Sequence, residues 1–480
     1  MLLLRVPQRF IRQRQIGVFY MNSKTSDMCE GPLISRIILY TIPIILTGVL
    51  QLLFNAADLV VLGRYCDQIS VAAVGATGAL INLIVNLFIG LSVGAGVTVA
   101  HGLGSGRNED VHRTVHTAIP IALISGALLT VVGVLFSGNF LKMMGTPANV
   151  LPLSTSYMRI YFCATIPSML YNFGSSILRA AGDTKSPLYY LTAAGILNVV
   201  LNLFFVKALD MNVEGVALAT AISQAVSAAL IIFALIKRKD ACKLELKKIK
   251  IYGRQLGRII QIGFPAGLQS SLFAISNVII QSSINSFGDV VMAGNAVAQN
   301  IEGFVYTSMN SYSQTALNFT GQNYGAGKLD RINKIMRICL IAVFCTGAAM
   351  GITAYCFGKP LLSLYLPDSK EALKYGMIRM AYIMIPYFLC GLMDVTTGLI
   401  RGLGRSVLPM LITVIGVVGI RLGWIFGVFK IPKYHTLKSL YISYTISWLS
   451  TFLVEIAVFI FIMRKLKKEQ QLKEPSADKA

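Results

Sequence analysis

The chain has 480 residues, of which 55% are hydrophobic and 13% charged, with 43 Lys and Arg against 21 Asp and Glu and a formal net charge of +22. Mean hydropathy is +0.66, far from a soluble globular composition. On a soluble protein this charge would suggest nucleic acid. Here apolar runs of about 20 residues or more recur along the whole length, the bilayer-spanning signal, so the expected partner is membrane lipid and not nucleic acid.

The first residues combine Leu2-Leu3-Leu4 with Arg5, Arg9, Arg12 and Arg14. The stretch is basic, with too short an apolar run for a signal peptide. Met21 or Met28 can serve as the start, because the repeat described below begins only near Ile34. Twelve spans follow, at 37–62, 70–99, 115–136, 155–178, 187–208, 214–236, 259–286, 291–319, 335–357, 375–400, 407–429 and 438–463. The segments on one side are 1–36, 101–114, 179–186, 237–258, 320–337, 401–406 and 464–480, and they hold 31 of the 43 Lys and Arg. By the positive-inside rule that side is cytoplasmic, with both termini on it. The expected organisation is a cytoplasmic segment 1–32, an N-lobe 33–236, a basic inter-lobe loop 237–258, a C-lobe 259–463 and a tail 464–480. The loop reads as an ordinary inside loop, with anionic-lipid contact as a secondary use. The chain reads as a monomer of the cell inner (plasma) membrane.

The two halves repeat. Arg36-Ile37-Ile38 before Pro43 recurs 222 residues later as Arg258-Ile259-Ile260 before Pro265. Leu178-Arg179, Gly182 and Pro187 recur at the same offset as Ile400-Arg401, Gly404 and Pro409. Gly104-Ser105-Gly106 matches Gly325-Ala326-Gly327 at 221, and Ile166-Pro167 matches Ile385-Pro386 at 219. Six spans per half is an even number, so the halves share one orientation, as in transporters built from parallel repeats with the substrate site between them. The fold class is therefore all-α polytopic: twelve transmembrane helices in two homologous six-helix lobes.

Several chemistries are absent. Gly321 to Lys328 superficially resembles a phosphate loop, but the glycine spacing is one residue too long and Leu329 stands where Ser or Thr would hold magnesium. Both it and Gly102 to Arg107 read as tight turns. The eight cysteines are scattered without a CxxC, so disulfide and metal readings are weak. His101, His112 and His116 lack an acidic or Cys partner for a metal set. No nucleophile, base and oxyanion set is assembled, so no enzyme activity and no cofactor are expected.

The informative residues are polar groups inside spans, because a carboxylate at bilayer depth costs several kcal/mol and usually faces a cavity. Gln51, Asn55 and Asp58 fall on one face of the first span. Asn198 and Asn202 are one turn apart on the fifth, and Asn172 lies on the fourth. In the second half Gln269, Asn277 and Gln281 line the seventh span, Asn300 and Glu302 the eighth, and Asp394 the tenth. Glu455 in the twelfth is left unassigned. Interhelical hydrogen bonding is the plain alternative for the amides. Asp58 is the only acid deep in the spans of the first half, and Asn198 and Asn202 can close a site around it. With Gln51 these form the expected ion-coupling set. Asn55, Asn172, Gln269, Asn277, Gln281, Asn300, Glu302 and Asp394 are the expected substrate contacts. The amide oxygens suit sodium and the carboxylate suits a proton, so the coupling ion is H+ or Na+.

The segments Pro43 to Gly63, Val71 to Gly75, Leu178 to Pro187, Asn198 to Asn202, Gly215 to Gln224, Gly263-Phe264-Pro265, Gly321 to Gly327 and Ile400 to Gly404, in this order over about 33–463, resemble the multidrug and toxin extrusion (MATE) family. A MepA-like branch is the nearest pattern. The resemblance implies two lobes around a V-shaped cavity and export of small cationic amphiphiles against protons or sodium. It places Asp58 where a family acid of the first helix sits and Asn198 in the same cluster. Asn202 stands where the proton-coupled, DinF-type branch typically has Asp. Phe273 stands where the NorM-type sodium site has Glu, and the tenth-helix acid of that site falls at Cys390, one turn before Asp394. The competing reading is a flippase of a lipid-linked sugar on a related fold, which usually has fourteen spans and a cationic cavity.

The topology is directly testable. A cysteine placed within 237–258 should be labelled only from the cytoplasmic side; labelling from outside intact cells would overturn the topology with both termini inside.

Overall fold

The computed structural model describes residues 28–366 and 369–473. The leading segment before Met28 and the last residues of the tail lie outside them. Among the described residues ten helical segments are long and apolar enough to cross a membrane. In the first half these include α1 (Leu33–Tyr65), α2 (Gln68–Gly104) and α3 (Asn108–Met143). After α4 (Leu151–Cys163) and α5 (Thr165–Ala180) come α6 (Lys185–Leu203), extended by a π-helical turn Phe204–Ala208, and α7 (Val213–Lys237). The second half opens with α8 (Gly253–Asn285), α9 (Asp289–Gly325) and α10 (Leu329–Cys356). The short α11 (Gly358–Ser363) precedes α12 (Lys370–Ile383) and α13 (Phe388–Gly402). A broken helix follows: α14 (Val407–Thr413), π-helical Val414–Gly419 and α15 (Ile420–Phe426). The described chain ends in α16 (Leu437–Lys473). The two remaining spans are the α4–α5 pair, broken at Ala164, and the more polar α9, which complete the expected twelve. Among the described residues there is no strand.

The repeat is visible in how the helices stop. Gly106 and Gly327 have φ of +67° and +69°, and Gly182 and Gly404 have +88° and +79°. That left-handed region suits glycine, which ends helices with a bond reaching five residues back. Arg107 N donates to Gly102 O at 3.0 Å and Lys328 N to Asn323 O at 2.9 Å. Asp183 N donates to Leu178 O at 2.9 Å and Arg405 N to Ile400 O at 3.3 Å. The glycine-rich segments are thus helix-ending turns. The basic loop is ordered too: His116 Nε2 accepts from Glu245 N at 3.0 Å, Gln255 Nε2 donates to Asp110 Oδ1 at 3.3 Å, and Cys242 and Leu244 are buried.

Each lobe has its own apolar core. One gathers Val85, Val115, Phe162, Phe173 and Ile231, the other Met309, Cys339, Met380, Tyr441 and Trp448. The first helices cross between them. Ile37, Tyr40 and Ile44 of α1 lie in the C-lobe core, while Val61 and Leu62 return to the N-lobe. Reciprocally, Ile259 of α8 lies in the N-lobe core, and Ile280 and Ile284 in the C-lobe.

The lobes meet on the side of the basic turns. α2 and α8 approach backbone to backbone: a Cβ at Gly90 would overlap Gly267, one at Gly94 the Ile259 carbonyl, and one at Gly267 the Leu87 carbonyl. Only glycine permits this crossing. Tyr40 Oη donates to Arg179 O at 2.7 Å, Thr41 and Thr315 hydroxyls bond at 2.8 Å, Gln322 Nε2 donates to Ala180 O at 2.7 Å, and His101 Nε2 bonds Gly402 O at 2.7 Å. Arg179 also reaches Gln314 Oε1 at 2.5 Å. Before α1, Met28 and Glu30 are held by Gln322, Asn323 and Arg331. Toward the opposite end these links cease, and Gln51, Asn55 and Asn300 are exposed. Polar groups exposed at span depth belong to a water-filled cleft rather than to hydrocarbon, so the cleft is shut on the basic side and open on the other.

Overpacking a tight crossing costs about 1–3 kcal/mol. Gly90→Ala should therefore weaken the closed side selectively. The expected outcome is increased reactivity of a cysteine substituted at Leu317, in the small interface cluster with Val97 and Ile262, with the helical content unchanged.

Candidate functional site: two polar clusters at span depth

The N-lobe cluster is built by three helices. Asp58 lies in the second half of α1 and is 8% exposed, and Asn202 of α6 is fully buried. Asn202 Nδ2 donates to Asp58 Oδ1 and, at 3.2 Å, to Asn198 Oδ1. Asn198 Nδ2 donates to Thr220 Oγ1 of α7 at 3.3 Å. Packing makes room for this: a Cβ at Gly195 would strike the Phe54 ring, so α6 lies close on α1. The π-helical turn begins two residues after Asn202, and such turns often mark functional sites. Among the described residues no Lys or Arg pairs with Asp58, and Asn202 Oδ1 has no hydrogen-bond partner. The cluster is therefore rich in oxygens and holds no cation of its own.

The C-lobe is organised differently. Glu455 of α16 is fully buried. Thr397 Oγ1 donates to its two oxygens at 2.8 and 2.9 Å, and Thr413 Oγ1 to Oε1 at 3.2 Å. Gln269 Nε2 donates to Thr413 Oγ1 at 2.8 Å, and Arg401 donates to Gln269 Oε1 at 2.6 Å. Asp394 lies about two helical turns before Arg401 on α13, with its Oδ2 buried and without a hydrogen-bond partner among the described residues. Nearer the open end, Glu302 accepts from Arg379 Nη2 at 2.6 Å. Arg379 Nη1 donates to Asn295 Oδ1 at 2.8 Å, and Asn295 donates to Gln281 Oε1 at 2.9 Å. Arg421 is fully buried. It donates to Asn277 Oδ1 and Ser447 Oγ, each at 3.1 Å, and lies 4.1 Å from the Tyr444 ring centroid and 5.2 Å from that of Phe273.

The structure thus brings together Asp58, Asn198 and Asn202 and adds Thr220. Gln51 and Asn55 share the α1 face but are exposed, making no hydrogen bond to the cluster. Asn172 is half-buried and donates to Ser168 O at 2.8 Å, apart from Asp58, and Asn300 is exposed. Gln269, Asn277, Gln281 and Glu302 lie in the C-lobe networks, where Glu302 has a guanidinium partner, and Asp394 lies on α13 with Thr397 and Arg401, its Oδ2 without a hydrogen-bond partner among the described residues. Sequence reasoning missed Thr220, Thr397 and Thr413 as site residues and left Glu455 open. Only Thr220 carried a signal, one turn ahead of Gln224 in the quoted Gly215 to Gln224 segment.

The MatE family model matches the chain twice, over residues 43–204 and 265–425. The stretches begin 222 residues apart (43 to 265), the offset of the internal repeat. The probable multidrug resistance protein YoeA of Bacillus subtilis (strain 168) is 25% identical over 434 residues, covering 89% of this chain and 93% of that protein. The multidrug export protein MepA of Staphylococcus aureus (strain MSSA476) is 20% identical over 377 residues, 78% of this chain and 83% of that protein. A solved structure of an outward-facing multidrug resistance MATE family transporter of the MOP superfamily superposes with a TM-score of 0.86 at 20% identity, covering 93% of this chain and 99% of that one; at that identity the likeness is one of fold. The chain belongs to the MatE family, the multidrug and toxin extrusion transporters, and is a multi-pass membrane transporter rather than an enzyme.

Proposed function

We propose that this transporter exports cationic amphiphiles in exchange for an inward flow of protons or sodium, with Asp58 as the coupling carboxylate. The observation that carries this reading is a buried carboxylate with no cationic partner among the described residues, beside an amide oxygen that accepts no hydrogen bond. An uncompensated buried charge is costly, so such a site favours taking up a proton or a cation. A proton would make Asp58 a donor toward an oxygen such as that of Asn202. Sodium would find oxygens on Asp58, Asn198, Asn202 and Thr220. Either ion cancels the negative charge on this part of α1. A cationic substrate then loses its counter-charge and leaves, while α1 repacks on α6. With the basic side cytoplasmic, the open cleft faces outward, ready for substrate release and ion entry. Gln51 and Asn55 continue the Asp58 face along the cleft, and Asn172, Asn300, Gln269, Asn277, Gln281 and Asp394 supply polar substrate contacts in an otherwise apolar, aromatic cavity.

A second reading has one observation in its favour. Arg421 is buried, stacked on aromatic rings, without a carboxylate partner, and its Nη2 has no hydrogen-bond partner among the described residues. Such a guanidinium suits a substrate carrying an acidic group, as a lipid-linked sugar would.

Asp58→Asn keeps shape and removes the titratable group. In proteoliposomes it should abolish gradient-driven export while leaving folding and some drug binding intact. Proton and sodium gradients imposed separately on wild type identify the ion. Export at the wild-type rate by Asp58→Asn, with loss in Asp394→Asn, would move coupling to the second lobe.

Cells producing the protein should lose sensitivity to cationic dyes. Resistance confined to anionic compounds, abolished by Arg421→Gln, would favour the second reading instead.

A further inference from the structure

A pocket lies on the C-lobe at the end opposite the basic turns, away from the cleft. It holds about 650 Å³ and is ringed by Lys359, Lys370, Lys374 and Lys438 with Tyr355 and Tyr382. Eight lysines in the chain belong to this end, Lys142, Lys207, Lys359, Lys370, Lys374, Lys430, Lys433 and Lys438. Half of them converge here, against the charge asymmetry of the rest of the chain. Among the described residues none of the four makes an ion pair. Exposed Glu371 is adjacent in sequence but does not line the pocket.

The pocket also has an apolar floor. Leu373, Met377 and Ile378 of α12 line it, while Ala372, Gly376 and Arg379 of the same helix turn inward and are buried. Next to it in sequence, Phe357, Leu364 and Tyr365 are 60%, 78% and 59% exposed, as side chains facing hydrocarbon are. Two tyrosines at the rim match the aromatic belt of a membrane–water boundary. Four converging ammonium groups repel one another and are relieved by a ligand bearing negative charge on several oxygens. A free phosphate would satisfy the lysines and leave the floor unused. We propose that this pocket binds an anionic glycerophospholipid from the leaflet at that end, with the headgroup phosphate among the four lysines and the first acyl carbons on the floor of α12.

The test uses the full chain in detergent with phosphatidylglycerol or phosphatidylcholine titrated in, read by native mass spectrometry and by thermal shift. Wild type should retain phosphatidylglycerol in preference to phosphatidylcholine. Lys374→Gln with Lys438→Gln should weaken that retention about tenfold or more, given the attraction of each basic group for anionic headgroups. Lys430→Gln with Lys433→Gln, outside the pocket, should leave it unchanged and controls for loss of net charge. All four are exposed, so folding should survive, and the melting temperature in phosphatidylcholine checks this. Either single substitution, Lys374→Gln or Lys438→Gln, serves if the double variant is unstable. Equal retention by the pocket variants and wild type would overturn the proposal. So would displacement of the lipid by millimolar glycerol 3-phosphate, which would assign the site to a soluble phosphate.

Discussion

The crossing of α2 over α8 is the constraint around which the rest is arranged. Its contacts run through Gly90, Gly94, Gly263 and Gly267, so the two backbones touch without intervening side chains. Helices in lipid gain little from hydrophobic association and rely on close packing. A backbone contact of this kind supplies that packing on one side only. It brings the helix-ending turns of both lobes together, so that His101 meets Gly402 and Gln322 meets Ala180. Because the seal sits at one end, the polar groups nearer the other end can face water.

Within that frame the lobes differ in that, among the described residues, only the C-lobe sets an ion pair at span depth. The N-lobe presents Asp58 to amides and, through Asn198, to the Thr220 hydroxyl, with no ion pair to it among the described residues. The C-lobe pairs Glu302 with Arg379, surrounds Glu455 with threonine hydroxyls and stacks Arg421 on aromatic rings. A charge answered by a fixed partner stays as it is through a transport cycle. A buried carboxylate without an ion pair is one that a mobile ion can answer; among the described residues Asp58 in the N-lobe and Asp394 and Glu455 in the C-lobe are such groups, and the Asp58→Asn and Asp394→Asn variants tell the two lobes apart. The copies share turns and crossings, where backbone geometry dictates glycine, and differ in the polar side chains they carry at span depth.

Much of this was legible in the sequence, for identifiable reasons. Spans show as apolar runs because hydrocarbon tolerates little else. The turns show because a positive φ calls for glycine at the same place in both halves. Asp58 stood out because a carboxylate at that depth is costly, and Asn198 and Asn202 because one-turn spacing puts two amides on one face. The rest depended on partners far apart in the chain. Nothing local to Glu455 names Thr397 or Thr413, and nothing local to Glu302 says that Arg379 answers it. Spacing on α1 correctly placed Gln51 and Asn55 on the face of Asp58, yet a shared face does not say where the neighbouring helix ends, and α6 covers the acid while leaving the two amides bare.

The exchange of first helices between the cores has an evolutionary meaning. Ile37, Tyr40 and Ile44 serve the second core, and Ile259 serves the first. Two copies of a half-chain, each lending the start of its first helix to the other, would make the same reciprocal embrace as a two-fold dimer with swapped segments. The fused chain then reads as that dimer made permanent, with residues 238–252 as the splice. Neither core is closed by its own half: each includes residues from the start of the other half's first helix.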